Sequence, residues 1–460
     1  MSIRRRPSWI AFATLCGAIG CERQAPAPVL DAAAQFSFRF GTSRAAPFLL
    51  TGWSPPEGAP DNAFQWSNDN SSRMHFALRS VPAHGMWIAA EVRPADVQNQ
   101  RIAIGANGTD IDVAALRTES QWVQGVVPAA VLHPGTNVLD FRYAVVARPI
   151  HHHLASTDVR RLGVLWQQFR AAPLGLARAG IVGNDSGNTV LRSGWGDVEP
   201  WGAAHAVWGV GAASTVDICL APQPGTYALV IRARVQFGPT TIPVFIDGHV
   251  IGTLVLDGEM RDHYLMVGEH QIQPGHNLIE FRYAHPFQPA AIDYKATDNR
   301  LLGMQVSRVA LVPISSLMEL SVGVPARAAS FSDGWSSPEP TDQGQAAWSD
   351  GPLSGVSFEL QPLLMPYRLS AFIKPIATVP PIKTQVTVNG QRVGEWIFTQ
   401  GGWQFATLEL PAGMLVRGQN RLEFQYSQTV VPHDRDPANA DLRKLAVRIH
   451  QLQLTPSGEL

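Results

Sequence analysis

Cysteine is almost missing from this chain: its 460 residues carry three, Cys16, Cys21 and Cys219. That is too few for a disulfide framework and lacks the paired spacing of a zinc site. Cys219 stands in the strand-like run Val216-Asp217-Ile218-Cys219-Leu220, a context that predicts a buried, inert thiol. Charge is sparse and balanced, with 16% charged residues and 36 Lys+Arg against 37 Asp+Glu. This excludes binding of nucleic acid or anionic lipid through bulk charge. Past the amino terminus no apolar run reaches spanning length, since the most apolar stretch, residues 301–324, is broken by Arg308 and Glu319. Helical periodicity is scarce, and there is no Gly-x-Ser-x-Gly elbow, no phosphate-cradling loop and no Cys/His set of zinc type. Enzymatic activity, a cofactor and a bound metal are therefore not expected.

The first 21 residues carry an export signal. Arg4, Arg5 and Arg6 precede the uncharged apolar stretch 9–20, which is too short to span a membrane. The stretch ends Ala18-Ile19-Gly20-Cys21, which resembles the lipobox of bacterial lipoproteins. The resemblance implies a signal peptide over 1–20, acylation of Cys21 and a tether over 21–34. It implies a location in the bacterial cell envelope, lipid-anchored at the outer membrane or facing the periplasm. Cleavage of an ordinary signal, with secretion, is the alternative.

The rest of the chain is one unit written three times. Gly52-Trp53-Ser54-Pro55-Pro56-Glu57 recurs as Gly194-Trp195-Gly196-Asp197-Val198-Glu199 and Gly334-Trp335-Ser336-Ser337-Pro338-Glu339. A second tryptophan follows 13 positions on, as Trp66, Trp208 and Trp348. Gly-x-Asn-x-Leu/Ile-x-Phe-x-Tyr then closes at Tyr143, Tyr283 and Tyr426, and Asp-x-Arg-x-Leu follows as Asp158-Arg160, Asp298-Arg300 and Asp441-Arg443. The opening tryptophans are 142 and 140 residues apart, the period of a domain rather than of a solenoid repeat. Copies over 35–172, 173–314 and 315–460 follow from this spacing. Within each, polar and apolar residues alternate, as in Leu139-Asp140-Phe141-Arg142-Tyr143, and Asn107-Gly108, Asp247-Gly248 and Asn389-Gly390 mark hairpins. With 40 Gly and 35 Pro, the pattern predicts an all-β fold of three tandem jelly-roll β-sandwich domains.

The Gly-x-Asn-x-Leu-x-Phe strand after a hairpin resembles galactose-binding-like jelly rolls, the non-catalytic modules of carbohydrate-active proteins. The larger set, Gly-Trp-Ser-x-Pro-Glu with the second Trp and Asp-x-Arg-x-Leu-Gly, is similar to accessory β-sandwich domains beside bacterial envelope glycosyltransferases. Two departures stand out: Trp-Gly after the Glu survives only as Trp201-Gly202, and Ala446 replaces the glycine found at Gly163 and Gly303. The resemblance implies a fold and a polysaccharide context, and carries no catalytic residue.

Sugar binding asks for aromatic faces and planar polar groups. Trp53, Glu57, Trp66, Asp158 and Arg160 are of those types, as are Trp195, Glu199, Trp208, Asp298 and Arg300 and, in the third copy, Trp335, Glu339, Trp348, Asp441 and Arg443. The Asp and Arg, two apart on one strand face, are read first as a framework clasp for the returning chain, and for the Trp–Glu–Trp set a capping role and a ligand role stand level. The 14 residues between Tyr and Asp keep their length and change their chemistry, holding His151-His152-His153, Asp293-Tyr294-Lys295 and His433-Asp434-Arg435-Asp436. Neither histidine-bearing run has metal-ligand spacing, and solvated loops are expected. Glu57 with Asp158 would be a glycosidase pair only if one copy had a cleft the others lack. The expected function is non-catalytic binding of an envelope or extracellular polysaccharide, several weak sites gaining avidity on one chain. An assembly role with an envelope protein partner is the rival, and a glycan-active enzyme ranks third.

Overall fold

Period-two alternation builds sheets in every copy. The computed structural model describes residues 26–31, 35–95, 97–152, 156–202, 204–324, 329–376 and 381–457. The signal sequence and Cys21 lie outside the described residues, as does His153. Among those described, no helix is long and apolar enough to cross a membrane.

Each copy is a sandwich of two sheets, antiparallel throughout apart from one short edge pair in copy one. In the second copy one sheet orders Trp195–Trp201, Ala204–Val210, Leu302–Pro313, Tyr227–Arg234 and Arg261–Val267, with Arg178–Ile181 also pairing onto Leu302–Pro313. The facing sheet orders Ala213–Leu220, Gly275–Arg282, Thr240–Ile246 and His249–Leu256. Copies one and three repeat this plan around Leu162–Pro173 and Leu445–Pro456. Alternate side chains enter each core: Leu229, Ile231, Ile279 and Phe281 in copy two match Ile88, Ala90, Leu139 and Phe141 in copy one. Val29–Leu30, placed in the tether by the sequence, instead pair in parallel with Ala77–Leu78 at a sheet edge.

The repeated motifs have physical causes. The hairpin residues Asn107, Asp247 and Asn389 have φ of 50°, 48° and 50°, and each is followed by a glycine of positive φ. Two consecutive residues of positive φ suit the right-handed twist of the flanking strands. The buried Asn137, Asn277 and Asn420 tie off the next turn; Asn137 Nδ2 donates to the carbonyls of His133 and Gly135 at 2.8 and 3.0 Å. Tyr143, Tyr283 and Tyr426 end their strands with hydroxyls bonded to the buried Ser72, Ser214 and Ser354. Burial pushes all three phenols up.

The sandwiches stack through their outer faces. Trp87, Ala89 and Trp122 of copy one pack on Cys219 and Ala221 of copy two, and the Arg178 guanidinium lies 3.5 Å from the centre of the Trp87 ring. Ala228, Val230, Ala310 and Val312 form the apolar part of the seam with copy three, joined by Leu317 and Leu363.

Candidate functional site

The repeated polar residues find one another inside each copy. Arg160 receives Asp158 in two-pronged fashion, Nε to Oδ1 at 3.0 Å and Nη2 to Oδ2 at 2.6 Å, and donates through Nη1 to Glu57. Arg300 holds Asp298 in the same way, at 3.0 and 2.7 Å, but reaches Glu199 through Nη2, at 3.0 Å. Arg443 binds Asp441 at 3.0 and 2.6 Å and Glu339 at 2.7 Å. These arginines hold Asp158, Asp298 and Asp441 below the usual carboxylate range. The pair does not lie on a strand face as expected: it precedes the strand, and the backbone N–H of each Arg is capped by the Asp two residues before it. The triad thus fastens the entry of the last strand to the Glu about 100 residues earlier.

The tryptophans are engaged as well. Trp53, Trp195 and Trp335 donate through Nε1 to the carbonyls of Arg73, Thr215 and Gly355 at 2.8, 2.7 and 2.8 Å. Their rings lie against core aromatics, Trp53 on Phe40 and Trp166, Trp195 on Phe281, Trp335 on Phe331 and Phe424. Trp208 is buried edge-to-face on Phe287, Trp66 is half-buried beside Ala147 and Leu162, and the Arg448 guanidinium sits 5.5 Å from the Trp348 ring centre. Each of the fifteen candidate side chains therefore has partners in its own copy.

A concave site lies elsewhere. Copies two and three enclose a cavity of about 450 Å³, open to solvent, between the outer faces of their sheets. Copy two contributes Arg232, Asp262, His263 and Tyr264; copy three contributes Phe405, Thr407, Gln451 and Gln453. These outward positions alternate with core residues, Gln451 and Gln453 flanking the buried Leu452, and Phe405 preceding Ala406. Asp262 is the pivot. Its carboxylate lies 3.7 Å from Arg232, 3.6 Å from Arg368 across the seam and 3.3 Å from the Thr455 hydroxyl. Burial drives His263 down to about 4, so it is neutral at pH 7, and lowers the pKa of Arg232 and of the deeper Arg308, the latter to about 10. Phe405 leads out of the cavity into a stack of half-buried rings. Phe405 lies 4.7 Å from Phe372, which lies 5.2 Å from Trp403, at interplanar angles of 25° and 29°.

The stack belongs to copy three alone. Strand registers place Arg232, Met260 and Asp262 of copy two, and Glu91, Ser120 and Trp122 of copy one, where copy three has Phe372, Trp403 and Phe405. Sequence reasoning followed the repeated residues and so passed over these, although an aromatic at an outward position of a strand was a readable signal.

The chain matches no protein-family model and no curated protein. Solved structures similar to it include the N-terminal CBM22-1–CBM22-2 tandem domain of Paenibacillus barcinonensis Xyn10C, at 8% identity and a TM-score of 0.22 over 58% of this chain and 92% of that one. The C-terminal CBM6 of LamC from Zobellia galactanivorans is similar at 13% identity and a TM-score of 0.21, over 30% of this chain and 99% of that one. A triple jelly-roll turret protein of an archaeal virus is similar at 8% identity and a TM-score of 0.23, over 94% and 98% of the two chains.

A second polar cluster joins copies one and two. Asp217, Cys219 and His276 group together on the outer face of copy two, with Asp112 of copy one 3.2 Å from His276 Nε2. Burial raises Asp217, but the hydrogen bond from His276 and the charge of Arg192 outweigh it and bring its pKa to about 2. The neighbouring Asp112 carboxylate, then Asp217 and Cys219, push His276 up to about 12. Cys219 is buried as expected, yet its sulfur lies 3.4 Å from His276 Nδ1, a polar setting that its strand-like context did not foretell.

Proposed function

We propose that the protein binds a polysaccharide strand without chemically altering it, and that the strand lies in the cavity between copies two and three and along the Phe405–Phe372–Trp403 rings. The observation that carries this is the juxtaposition, in one open cavity, of aromatic surface with amide, guanidinium and hydroxyl groups. A pyranose offers an apolar C–H face and a rim of hydroxyls, and this lining answers both. The two carboxamides of Gln451 and Gln453 stand two residues apart on one strand, a spacing of about 7 Å. Gln451 already donates to Glu319 Oε1 at 2.7 Å, so this joined amide–carboxylate unit and the Gln453 carboxamide would face successive hydroxyl pairs. Acylation at Cys21 would hold the stack of sandwiches at the envelope surface.

The test is affinity electrophoresis of the full chain through gels loaded with bacterial polysaccharides, the host's own envelope glycans among them. One glycan is expected to retard the wild type, and Phe405→Ala with Gln453→Ala to abolish the retardation while circular dichroism stays unchanged. Retardation that survives this double change refutes the proposed site. No retardation by any glycan refutes the function and favours an assembly protein. Retention of the Cys21→Ser chain in the membrane fraction, with unchanged mass, would refute the anchor.

A further inference from the structure

We infer that Asp217, Cys219 and His276 form a zinc site in the seam between copies one and two, with Asp112 of copy one orienting the histidine. The β topology creates the site. Asp217 and Cys219 are two apart on Ala213–Leu220 and share its outer face, and Cys219 pairs directly with His276 on Gly275–Arg282. One carboxylate oxygen, one sulfur and one ring nitrogen lie within 4.8 Å of one another. His276 Nδ1 is 3.4 Å from Cys219 Sγ and 2.9 Å from Asp217 Oδ2. Ligand atoms about 2.0–2.3 Å from a tetrahedral zinc ion stand about 3.3–3.7 Å apart, so small side-chain adjustments suffice. The mixed sulfur, nitrogen and oxygen set suits zinc.

Three further observations point to an ion. Asp217 is 6% exposed, and its Oδ1 has no partner among the described residues, while Oδ2 is engaged by Arg192 at 2.7 Å. A buried acceptor without a donor is costly unless something fills its place. His276 Nε2 lies 3.2 Å from the Asp112 carboxylate without making a hydrogen bond, and a small ring rotation on ligation would complete the bond by which a carboxylate fixes a histidine whose other nitrogen holds metal. The fold does not require the trio: registered on the Asn of each Gly-x-Asn motif, the matching positions are His75, Ala77 and Thr136 in copy one and Ser357, Glu359 and Gln419 in copy three. On ligation the Cys219 thiol and His276 Nδ1 each release a proton, and the divalent ion supplies the two charges lost. With Asp112 as its outer partner the ion ties copy one to copy two.

The test uses the full chain with Cys16→Ser and Cys21→Ser, so that Cys219 is its single thiol, stripped with chelator and kept reduced. Dialysis against Zn²⁺ followed by elemental analysis is expected to find one ion per chain. Co²⁺ is expected to give the intense near-ultraviolet charge-transfer band of a thiolate ligand, a band that the histidines of the 151–153 run cannot produce. Cys219→Ser should lose the band and the ion, whereas Asp112→Asn should keep the band and weaken affinity about 10–100-fold. A folded chain that binds no stoichiometric zinc, or shows no thiolate band with cobalt, overturns the site. Equal retention of zinc by Cys219→Ser overturns it as well. Should Cys219→Ser fail to fold, the cobalt band of the parent and the Asp112→Asn affinity still decide the question, and an unchanged affinity removes Asp112 from the account.

Discussion

Replacing Trp335 by alanine separates a framework tryptophan from a sugar platform. The ring lies 5.1 Å from Phe331 and 6.1 Å from Phe424, and its Nε1 donates to the Gly355 carbonyl at 2.8 Å. Truncating a fully buried aromatic costs about 3–5 kcal/mol, and the part of Trp335 left in solvent lowers this to about 2–4 kcal/mol. The lost hydrogen bond adds little, because the Ser332 N–H also donates to that carbonyl at 2.9 Å. Trp335→Phe should therefore cost only about 0.5–1.5 kcal/mol. Amide hydrogen exchange of Gly418–Tyr426, the strand beneath the ring, reports the stability of copy three within the intact chain. Exchange governed by opening of that copy should quicken roughly 100-fold in Trp335→Ala and less than about 10-fold in Trp335→Phe. Glycan retardation by the wild-type cavity should be preserved in Trp335→Phe. Exchange unchanged within about threefold in Trp335→Ala, together with lost retardation, would refute the framework reasoning.

Three further outcomes are expected. Tyr426→Phe strands the buried Ser354 hydroxyl and should lower the stability of copy three by about 1–2 kcal/mol, read from the same amides. Arg443→Met frees Asp441 and leaves Glu339 paired with Arg448 at 3.1 Å, and the two carboxylates keep 23% and 35% of their surface in water, so the cost should stay near 1 kcal/mol, with glycan retardation unchanged. His263, lowered by burial from 6.5 to about 4, stays neutral in the folded state while the unfolded chain takes up its proton between those values. Stability should therefore be complete above pH 6.5 and fall by up to about 3 kcal/mol as pH drops to 4, and His263→Phe should flatten that part of the profile in urea titrations. An identical slope in the variant would contradict the assignment.

The fold was legible because its signals are local. Alternation in Leu139–Tyr143 and the Asn-Gly and Asp-Gly pairs act within a few residues, and the repeat multiplied each signal by three. The repeated Glu, Asp and Arg were legible as a group, but not their engagement, since Glu57 and Arg160 meet only after the sheets close. The cavity was illegible for a related reason: it lies between copies, where Gln451 and Phe405 of one domain face Arg232 and Asp262 of another. Similarity between copies also misled. It drew attention to residues that all three keep, whereas Phe372, Trp403, Phe405, Cys219 and His276 are peculiar to one copy. Cys219 and His276 are 57 residues apart in the chain and become neighbours only through strand pairing.

The position of the glycan decides between the cavity and the repeated residues, and hydroxyl-radical footprinting of the full chain, with and without the retarding polysaccharide, reads that position directly. Protection is expected at Tyr264, Phe372, Trp403 and Phe405, with Trp66, Trp208, Trp348 and the 144–157, 284–297 and 427–440 segments unchanged. Protection confined to those tryptophans or segments, with the rings of the cavity still fully reactive, would contradict the proposed position.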